Sequence, residues 1–304
     1  MDEGERTGLV EIGGNGILFD CPMHQHTTLR VGGKGESLYF ARELQELQRM
    51  LSFLSRGNIP YLVVGKGSNI LVKDEGFKGV GIFLQGHLAA IERNGDTTDQ
   101  LIKAGGGLSI GELLTHCSQQ GLGGLEFLTG IPGTVGGAVA MNAGAFGKDT
   151  GSMVQQIQFV THQGKLATRN SSKLNFSYRG LSVPEGAVIV NVWFNLNYER
   201  PEILSKRKED YLARRKASQP LEYPSGGSVF KNPHNDYAAR LIERTGLKGR
   251  VIGGAMISTK HANFIVNMGG AIAEDILALM ELAREKVKEE TGIELETELR
   301  VVGI

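Results

Sequence analysis

Two cysteines, Cys21 and Cys117, are all that the 304 residues contain. So few exclude a disulfide framework and suit a reducing compartment. Net charge is missing as well: lysine plus arginine and aspartate plus glutamate number 33 each. That balance excludes a chain-wide electrostatic footprint for nucleic acid or an acidic membrane surface, leaving room only for a local basic patch. No apolar run reaches the roughly 18 residues that a membrane-spanning helix needs. The first residues, MDEGERTGLVEIGG, are acidic and lack the basic start and apolar run of a signal peptide. The expectation is a cytoplasmic protein with no membrane insertion and no nucleic-acid partner.

What the chain has in excess is glycine, 43 of 304 residues, about twice the usual ~7%. The glycines cluster between short apolar runs, where backbone turns tightly or comes close to something. A hydrophobic fraction of 40% and a charged fraction of 22% are otherwise ordinary for a globular protein. The length is that at which single cores stop growing, so two or three domains are expected.

Leu44, Leu47, Leu51 and Leu54 share a helical face, stopped by Gly57 and Pro60. YLVVG, KGSN, ILV and GVGIFL then read as strand, glycine turn, strand, with no helix after the turn. A strand near 101–104 and a helix over 110–119 follow. From Gly121 to Gly147 there are nine glycines in 27 residues, too many for a regular helix or strand interior. Strands resume at VQQIQFVTHQG and AVIVNVWFNLNY. After Pro201 come a basic helix, ILSKRKEDYLARRKASQ, a serine turn, a helix near AARLIERTG, and strands at RVIGGAMIS and NFIVNMG. A helix carrying Ile272, Ile276, Leu279, Ala283 and Val287 ends at Gly292, and ELETELRVV closes the chain as an alternating strand. A domain boundary is expected near residue 200.

Three stretches draw attention. VGKGSNILV, Val64 to Val72, is neither a Walker A loop nor a complete G-x-G-x-x-G. Its successive N–H groups suit an anion nest, but alone it reads as a tight hairpin. GIPGTVGGAVAMNAGAFG is too long and too apolar to be a turn, and the two glycine loops together read as two walls of one cofactor site. EYPSGGSVFKNP sets Ser228 behind two glycines. From GGS alone, a serine that satisfies turn backbone is the simpler reading. CPMHQH brings Cys21, His24 and His26 together, but no second pair completes a zinc site, so a surface or edge segment is expected and no metal.

TTLRVGG, VGKGSNILV, LEFLTGIPGTVGGAVAMNAGAFG, FSYRG, PSGGSVFKNP, KHANFIVN and LETELRVVG occur in this order. Together they closely resemble the UDP-N-acetylenolpyruvoylglucosamine reductase family of bacterial cell-wall precursor synthesis, over about residues 24–303. The resemblance implies an α+β fold: an FAD-binding domain in two parts, like that of vanillyl-alcohol oxidase, over 1–200 (subdomains about 1–86 and 87–200), and an α+β substrate domain over 201–304. It implies non-covalent FAD, NADPH as hydride donor and a nucleotide-sugar substrate, in a chain expected to be a monomer. The first glycine loop would bind the FAD pyrophosphate through Gly65, Lys66, Gly67, Ser68 and Asn69. The second would pack along the cofactor through Gly133, Thr134, Gly136, Gly137, Asn142, Ala143 and Gly144.

By the same resemblance Ser228 is a general acid that protonates the carbon beside the substrate carboxylate; its alkoxide would need nearby donors or cations, for which Lys231 is a candidate. Arg179, always cationic, would hold that carboxylate. On the last strand Leu295, Leu299 and Val301 share one face, leaving Glu296, Glu298 and Arg300 on the other. Period alone does not choose between the two glutamates; the resemblance chooses Glu298. Tyr178, Arg214 and Asn232 are implied substrate neighbours, and His261 is expected beside a strand rather than as a base. The sequence departs from the family pattern after Arg179, where Gly180 and Leu181 precede Ser182, and in ETEL for the commoner EPEV. The short segment between FSYRG and the basic helix matches the family's shorter form. Ser228, Arg179 and Glu298 form an acid-and-anion set suited to reducing an activated alkene. That separates this reading from a flavin enzyme oxidising an alcohol and from a nucleotide-sugar-binding protein without turnover.

Overall fold

The computed structural model describes residues 1–93 and 100–303. The chain divides into two compact units. The first comprises Met1–Phe19, Ser37–Gly65 and Gly79–Ala213; the second comprises Asp20–Glu36, Lys66–Lys78 and Arg214 onward. Seven α-helices are found among the described residues: α1 Glu3–Gly13, α2 Leu44–Arg56, α3 Ile110–Gln119, α4 Val135–Ala140, α5 Pro201–Ser218, α6 Ala238–Arg244 and α7 Ala273–Thr291.

The first unit holds two hydrophobic cores. One gathers Leu9, Tyr39, Leu47, Met50, Leu51, Leu54, Val80 and Ile82. The leucines of α2 are those at helical spacing in the sequence, and they form its buried face. The other core lies on a five-stranded antiparallel sheet ordered Leu166–Asn170, Val154–Val160, Val188–Asn195, Leu101–Gly105, Ile91–Arg93. Its middle strand contributes Val188 and Val190 to the first core and Ile189, Val192 and Phe194 to the second. A strand covered on both faces reads as a near-continuous apolar run, as VIVNVWF does. α3 is fixed at its start by Ser109, whose hydroxyl accepts from the Glu112 N–H while the Glu112 carboxylate accepts from the Ser109 N–H.

One element was not expected, and two expectations are corrected. The acidic start of the chain is a helix, α1, begun by a capping box in which the Asp2 and Glu5 side chains each accept the other's N–H at 2.8 Å. The nine-glycine stretch contains α4. A Cβ at Gly136 would lie 3.0 Å from the Gly106 carbonyl oxygen and 3.2 Å from that of Ile189, so close docking of bare backbone outweighs the poor helix propensity of glycine. The final strand is regular only over Arg300–Val302, because residues just before it bond the serine segment instead.

The second unit is built around Leu241, Ile242, Ile257, Ile265, Ile276, Leu279, Ala283, Val287, Leu295 and Leu299. α6 and α7 pack with an antiparallel sheet of Val251–Ile252, Ala255–Ile257 and Ile265–Asn267. Arg300–Val302 pairs in parallel with Ile70–Val72. VGKGSN is therefore not the tip of a hairpin, since Tyr61–Val63 before it pairs instead with part of Phe77–Leu84. α7 ends at Gly292, whose left-handed φ of 71° suits glycine. At its start Asp275 accepts the Ile272 N–H at 3.1 Å, and the carboxylate of Asp74 accepts the N–H groups of Ala273 and Glu274 at 2.9 and 3.0 Å. Asp74→Ala should lower stability by about 1 kcal/mol, read as a fall in Tm, whereas Asp74→Asn should recover part of the loss.

Candidate functional site

In the first unit three sequence segments converge. Gly65 abuts the second glycine loop, since a Cβ on it would lie 2.6 Å from Thr134 Oγ1. Thr134 is buried, and its hydroxyl accepts from the Gly137 N–H at the start of α4. At the far end of that loop Asn142 adopts a positive φ of 42°. Its amide is engaged at both ends: Nδ2 donates to the Ser177 carbonyl at 3.0 Å and Oδ1 accepts from Gly151 N–H at 2.9 Å. Asn142 thus ties the loop to a small hairpin, Phe176–Ser177 with Gly180–Leu181.

Tyr178 and Arg179 form the two-residue tip of that hairpin. Arg179 has a φ of 60°, a left-handed conformation that costs a residue with a Cβ about 1–2 kcal/mol. Such strain persists where the surroundings impose it. Its guanidinium lies 5.2 Å from the Tyr178 ring centroid, and its Nη1 donates to the Gly144 carbonyl at 3.4 Å. Gly133, Thr134, Gly136, Gly137, Asn142, Ala143 and Gly144 thus line a single segment that reaches from Gly65 at one end to Tyr178 and Arg179 at the other.

In the second unit the chain continues through Lys66, Gly67, Ser68 and Asn69. Gly67 is left-handed, with a φ of 62°, and a Cβ there would strike the His26 carbonyl oxygen at 2.2 Å. Among the described residues nothing accepts from the Lys66 and Gly67 N–H groups. Two adjacent main-chain donors in a glycine turn suit a phosphate oxygen, so the donor set fits a diphosphate. The Asn69 side chain donates to the Glu298 carbonyl at 3.1 Å, and its own carbonyl accepts from Arg300 N–H. In CPMHQH, Cys21 lies in the end strand Ile17–Pro22 of its sheet, and Met23 is fully buried. Among the described residues no group of three His, Cys, Asp or Glu side chains is arranged to hold a metal.

Ser228 is half-buried, and its hydroxyl has no hydrogen-bond partner among the described residues. Gly227 before it is left-handed, with a φ of 76°, and Gly226 leaves no space for a Cβ against Leu299 and Leu29. The turn is anchored from behind by Thr28, whose hydroxyl donates to the Ser225 carbonyl at 2.7 Å. After it, the Val229 carbonyl accepts from Glu298 N–H at 2.8 Å and from Leu299 N–H at 3.2 Å. Ser228 and Glu298 therefore sit on neighbouring, directly bonded stretches of chain. The two glutamates differ: Glu296 is exposed and ion-paired with Lys231, whereas Glu298 is half-buried.

Among the remaining sequence-derived residues, Tyr178 and Arg214 are exposed and Asn232 Oδ1 accepts from Ala238 N–H, the first residue of α6. Arg215, next to Arg214, is buried, and burial holds its guanidinium below the usual value. His261 packs edge-on against Phe264, and burial, with Lys248 nearby, keeps its imidazole less basic than usual. The sequence reading missed Asn263, 3% exposed, which bonds the main chain directly after Ser228. The only signal for it was a polar residue inside the apolar run ANFIV.

Comparison with known proteins identifies the family and the fold. Residues 36–169 match the model of an FAD binding domain, and residues 219–302 match that of the UDP-N-acetylenolpyruvoylglucosamine reductase C-terminal domain. The UDP-N-acetylenolpyruvoylglucosamine reductase of Geobacter metallireducens is 42% identical over 289 residues, covering 94% of each chain. That of Nitrosospira multiformis is 41% identical, covering 94% of this chain and 88% of its own. The crystal structure of the Thermus caldophilus reductase superposes with a TM-score of 0.79 at 35% identity, over 94% of this chain and 97% of that one. Berberine bridge enzyme, at 13% identity and a TM-score of 0.51 over 66% of this chain, shares the fold alone. The two-part flavin-domain architecture with an added C-terminal α+β domain is thus established, and the chain belongs to the UDP-N-acetylenolpyruvoylglucosamine reductase family.

Proposed function

We propose that Ser228, Arg179 and Glu298 are the catalytic residues of the family reaction in this chain. The chain is a flavin-dependent oxidoreductase that reduces UDP-N-acetylglucosamine enolpyruvate to UDP-N-acetylmuramate with NADPH, a step in peptidoglycan precursor synthesis. When bound, FAD carries a hydride equivalent from NADPH to the vinyl carbon of the enolpyruvyl ether. The observation that carries the residue assignment is the Ser228 hydroxyl: fixed by glycines before it and main-chain bonds after it, yet spending no hydrogen bond on any other described residue.

Addition at the vinyl carbon leaves negative charge on its neighbour, beside the carboxylate. Ser228 supplies the proton there: its O–H bond breaks as the new C–H bond forms, leaving a serine alkoxide to be reprotonated. A hydroxyl is a weak acid, but a carbanion is basic enough to take its proton at contact distance. Arg179 holds the carboxylate and draws charge toward enolate oxygen, a preorganised cation aimed where charge develops. Glu298, bonded through its main chain to Val229 and Asn69, presents its carboxyl group to the same step. Tyr178, Arg214 and Asn232 contribute to substrate binding, with Arg214 facing the diphosphate.

FAD would be held by Gly65, Lys66, Gly67, Ser68 and Asn69, whose main-chain donors suit its pyrophosphate, and by the loop of Gly133, Thr134, Gly136, Gly137, Asn142, Ala143 and Gly144. This assigns flavin binding to residues 1–200 and substrate binding to 201–304; the two family matches, over 36–169 and 219–302, fall within those ranges. Among the described residues no helix is long and apolar enough to cross a membrane. The chain acts in the cytoplasm as a monomer, without nucleic acid or metal.

Purified protein should be yellow and release FAD on denaturation. NADPH should bleach it, and the enolpyruvyl substrate should restore the colour without oxygen; restoration by oxygen alone would sink the assignment. Ser228→Ala should keep flavin reduction by NADPH and slow reoxidation by substrate about 10²–10⁴-fold, roughly 3–5 kcal/mol. Arg179→Asn should slow the same step at least tenfold while keeping or raising Tm, since asparagine tolerates a left-handed backbone. A clear fall in Tm would mean that the arginine is there for stability.

A further inference from the structure

We infer that Asn263 is a positioning residue for the Ser228 proton donor, acting through the main chain of Val229 and Phe230. The inference rests on the role given to Ser228 above.

Three hydrogen bonds carry it. The side chain of Asn263 accepts from Phe230 N–H through Oδ1 at 2.9 Å and donates to the Phe230 carbonyl through Nδ2 at 2.8 Å. Its own carbonyl accepts from Val229 N–H at 2.9 Å. A single buried residue thus gives two consecutive residues what a neighbouring strand would otherwise supply. On their other edge, Val229 and Lys231 are bonded to the chain around Glu298: Glu298 and Leu299 N–H donate to the Val229 carbonyl, and Lys231 N–H donates to the Glu296 carbonyl. Residues 229–231 are therefore held between Asn263 and the 296–299 segment. Ser228 lies immediately before this clamped stretch, and the left-handed Gly227 lies immediately before Ser228.

Only an amide meets these requirements. Aspartate would accept from Phe230 N–H but set a carboxylate against the Phe230 carbonyl. Alanine would leave both Phe230 groups unmatched in a buried setting. Glutamine would push the same amide outward by a methylene. Proton transfer to carbon is sensitive to donor placement, and a misplacement of about 1 Å costs on the order of 10²-fold. Loss of the clamp should therefore act on the proton-transfer step and leave NADPH oxidation alone. A merely structural asparagine would act on both, or on flavin retention.

The test uses FAD-loaded full-length protein. In Asn263→Ala, flavin reduction by NADPH should stay within about twofold of the parent, and reoxidation by UDP-N-acetylglucosamine enolpyruvate should slow about 10–10²-fold. Asn263→Asp should show the same split, and serves if the alanine variant does not accumulate folded. In a Ser228→Ala background, Asn263→Ala should add less than about twofold, because a misplaced donor costs nothing once the donor is gone. Amide hydrogen exchange of the peptide spanning 227–231, measured without turnover, should quicken. Parental reoxidation in Asn263→Ala, equal loss in both half-reactions, or full multiplication with Ser228→Ala would each overturn the inference. If Ser228→Ala itself reoxidises at the parental rate, the role of Ser228 falls first and this inference with it. A slow Ser228→Ala beside a fast Asn263→Ala removes this inference alone.

Discussion

Backbone that is neither helix nor sheet must still find partners for its N–H and C=O groups, and in this protein asparagine side chains provide them. Asn263 bonds both polar groups of Phe230, and Asn142 joins the glycine loop to the Tyr178–Arg179 hairpin. Asn69 ties the first loop to Glu298, and Asn267 donates to the Leu29 carbonyl while accepting from Gly269 and Ala271 N–H. An amide both donates and accepts, so it can stand in for a missing peptide neighbour. Each buried main-chain group left unmatched would cost about 1–3 kcal/mol. Glycine lets the chain take these irregular paths, and asparagine makes them singular.

Two of the left-handed non-glycine residues fall in the same places. Arg179 and Asn142 are both held left-handed, and both belong to the stretch that joins the second loop to the hairpin. Gly67 and Gly227 take comparable angles with no Cβ to object. At Arg179, where the proposed chemistry uses the side chain, the fold accepts a strained residue; where only backbone shape is needed, glycine serves.

Regular elements were the most legible in the sequence. α3 occupies the residues that its spacing and punctuation indicate, and α7 stops at the expected glycine, because periodicity and capping are local. α1 was legible in principle, since Asp2 and Glu5 spell its capping box, but an acidic start drew attention to charge instead. α4 was not, because only packing on Gly106 and Ile189 makes two glycines acceptable in a helix. In the candidate site, Ser228, Arg179 and Glu298 were singled out through motifs rather than periodicity. Residue spacing does not separate Glu298 from Glu296; the resemblance selects Glu298, and the Lys231 ion pair of Glu296 and the difference in burial tell the two apart in the structure. Asn263 escaped notice because its partners are main-chain atoms some thirty positions earlier, which no local pattern encodes.

The strand pairing of Ile70–Val72 with Arg300–Val302 bears on how the molecule is made. The second unit takes chain from near residue 20, from near 70 and from 214 onward, so during synthesis its early pieces wait unpartnered while the intervening residues leave the ribosome. Contacts between positions so distant are slow to form, because the closure entropy of the loop is spent before the pairing rewards it. The first unit is also drawn from three separate stretches, but the last of them ends at Ala213, so it can begin to order sooner. A nascent chain arrested before residue 300 would carry Ile70–Val72 as an unpaired apolar edge, the type of surface that chaperones bind and that aggregation exploits.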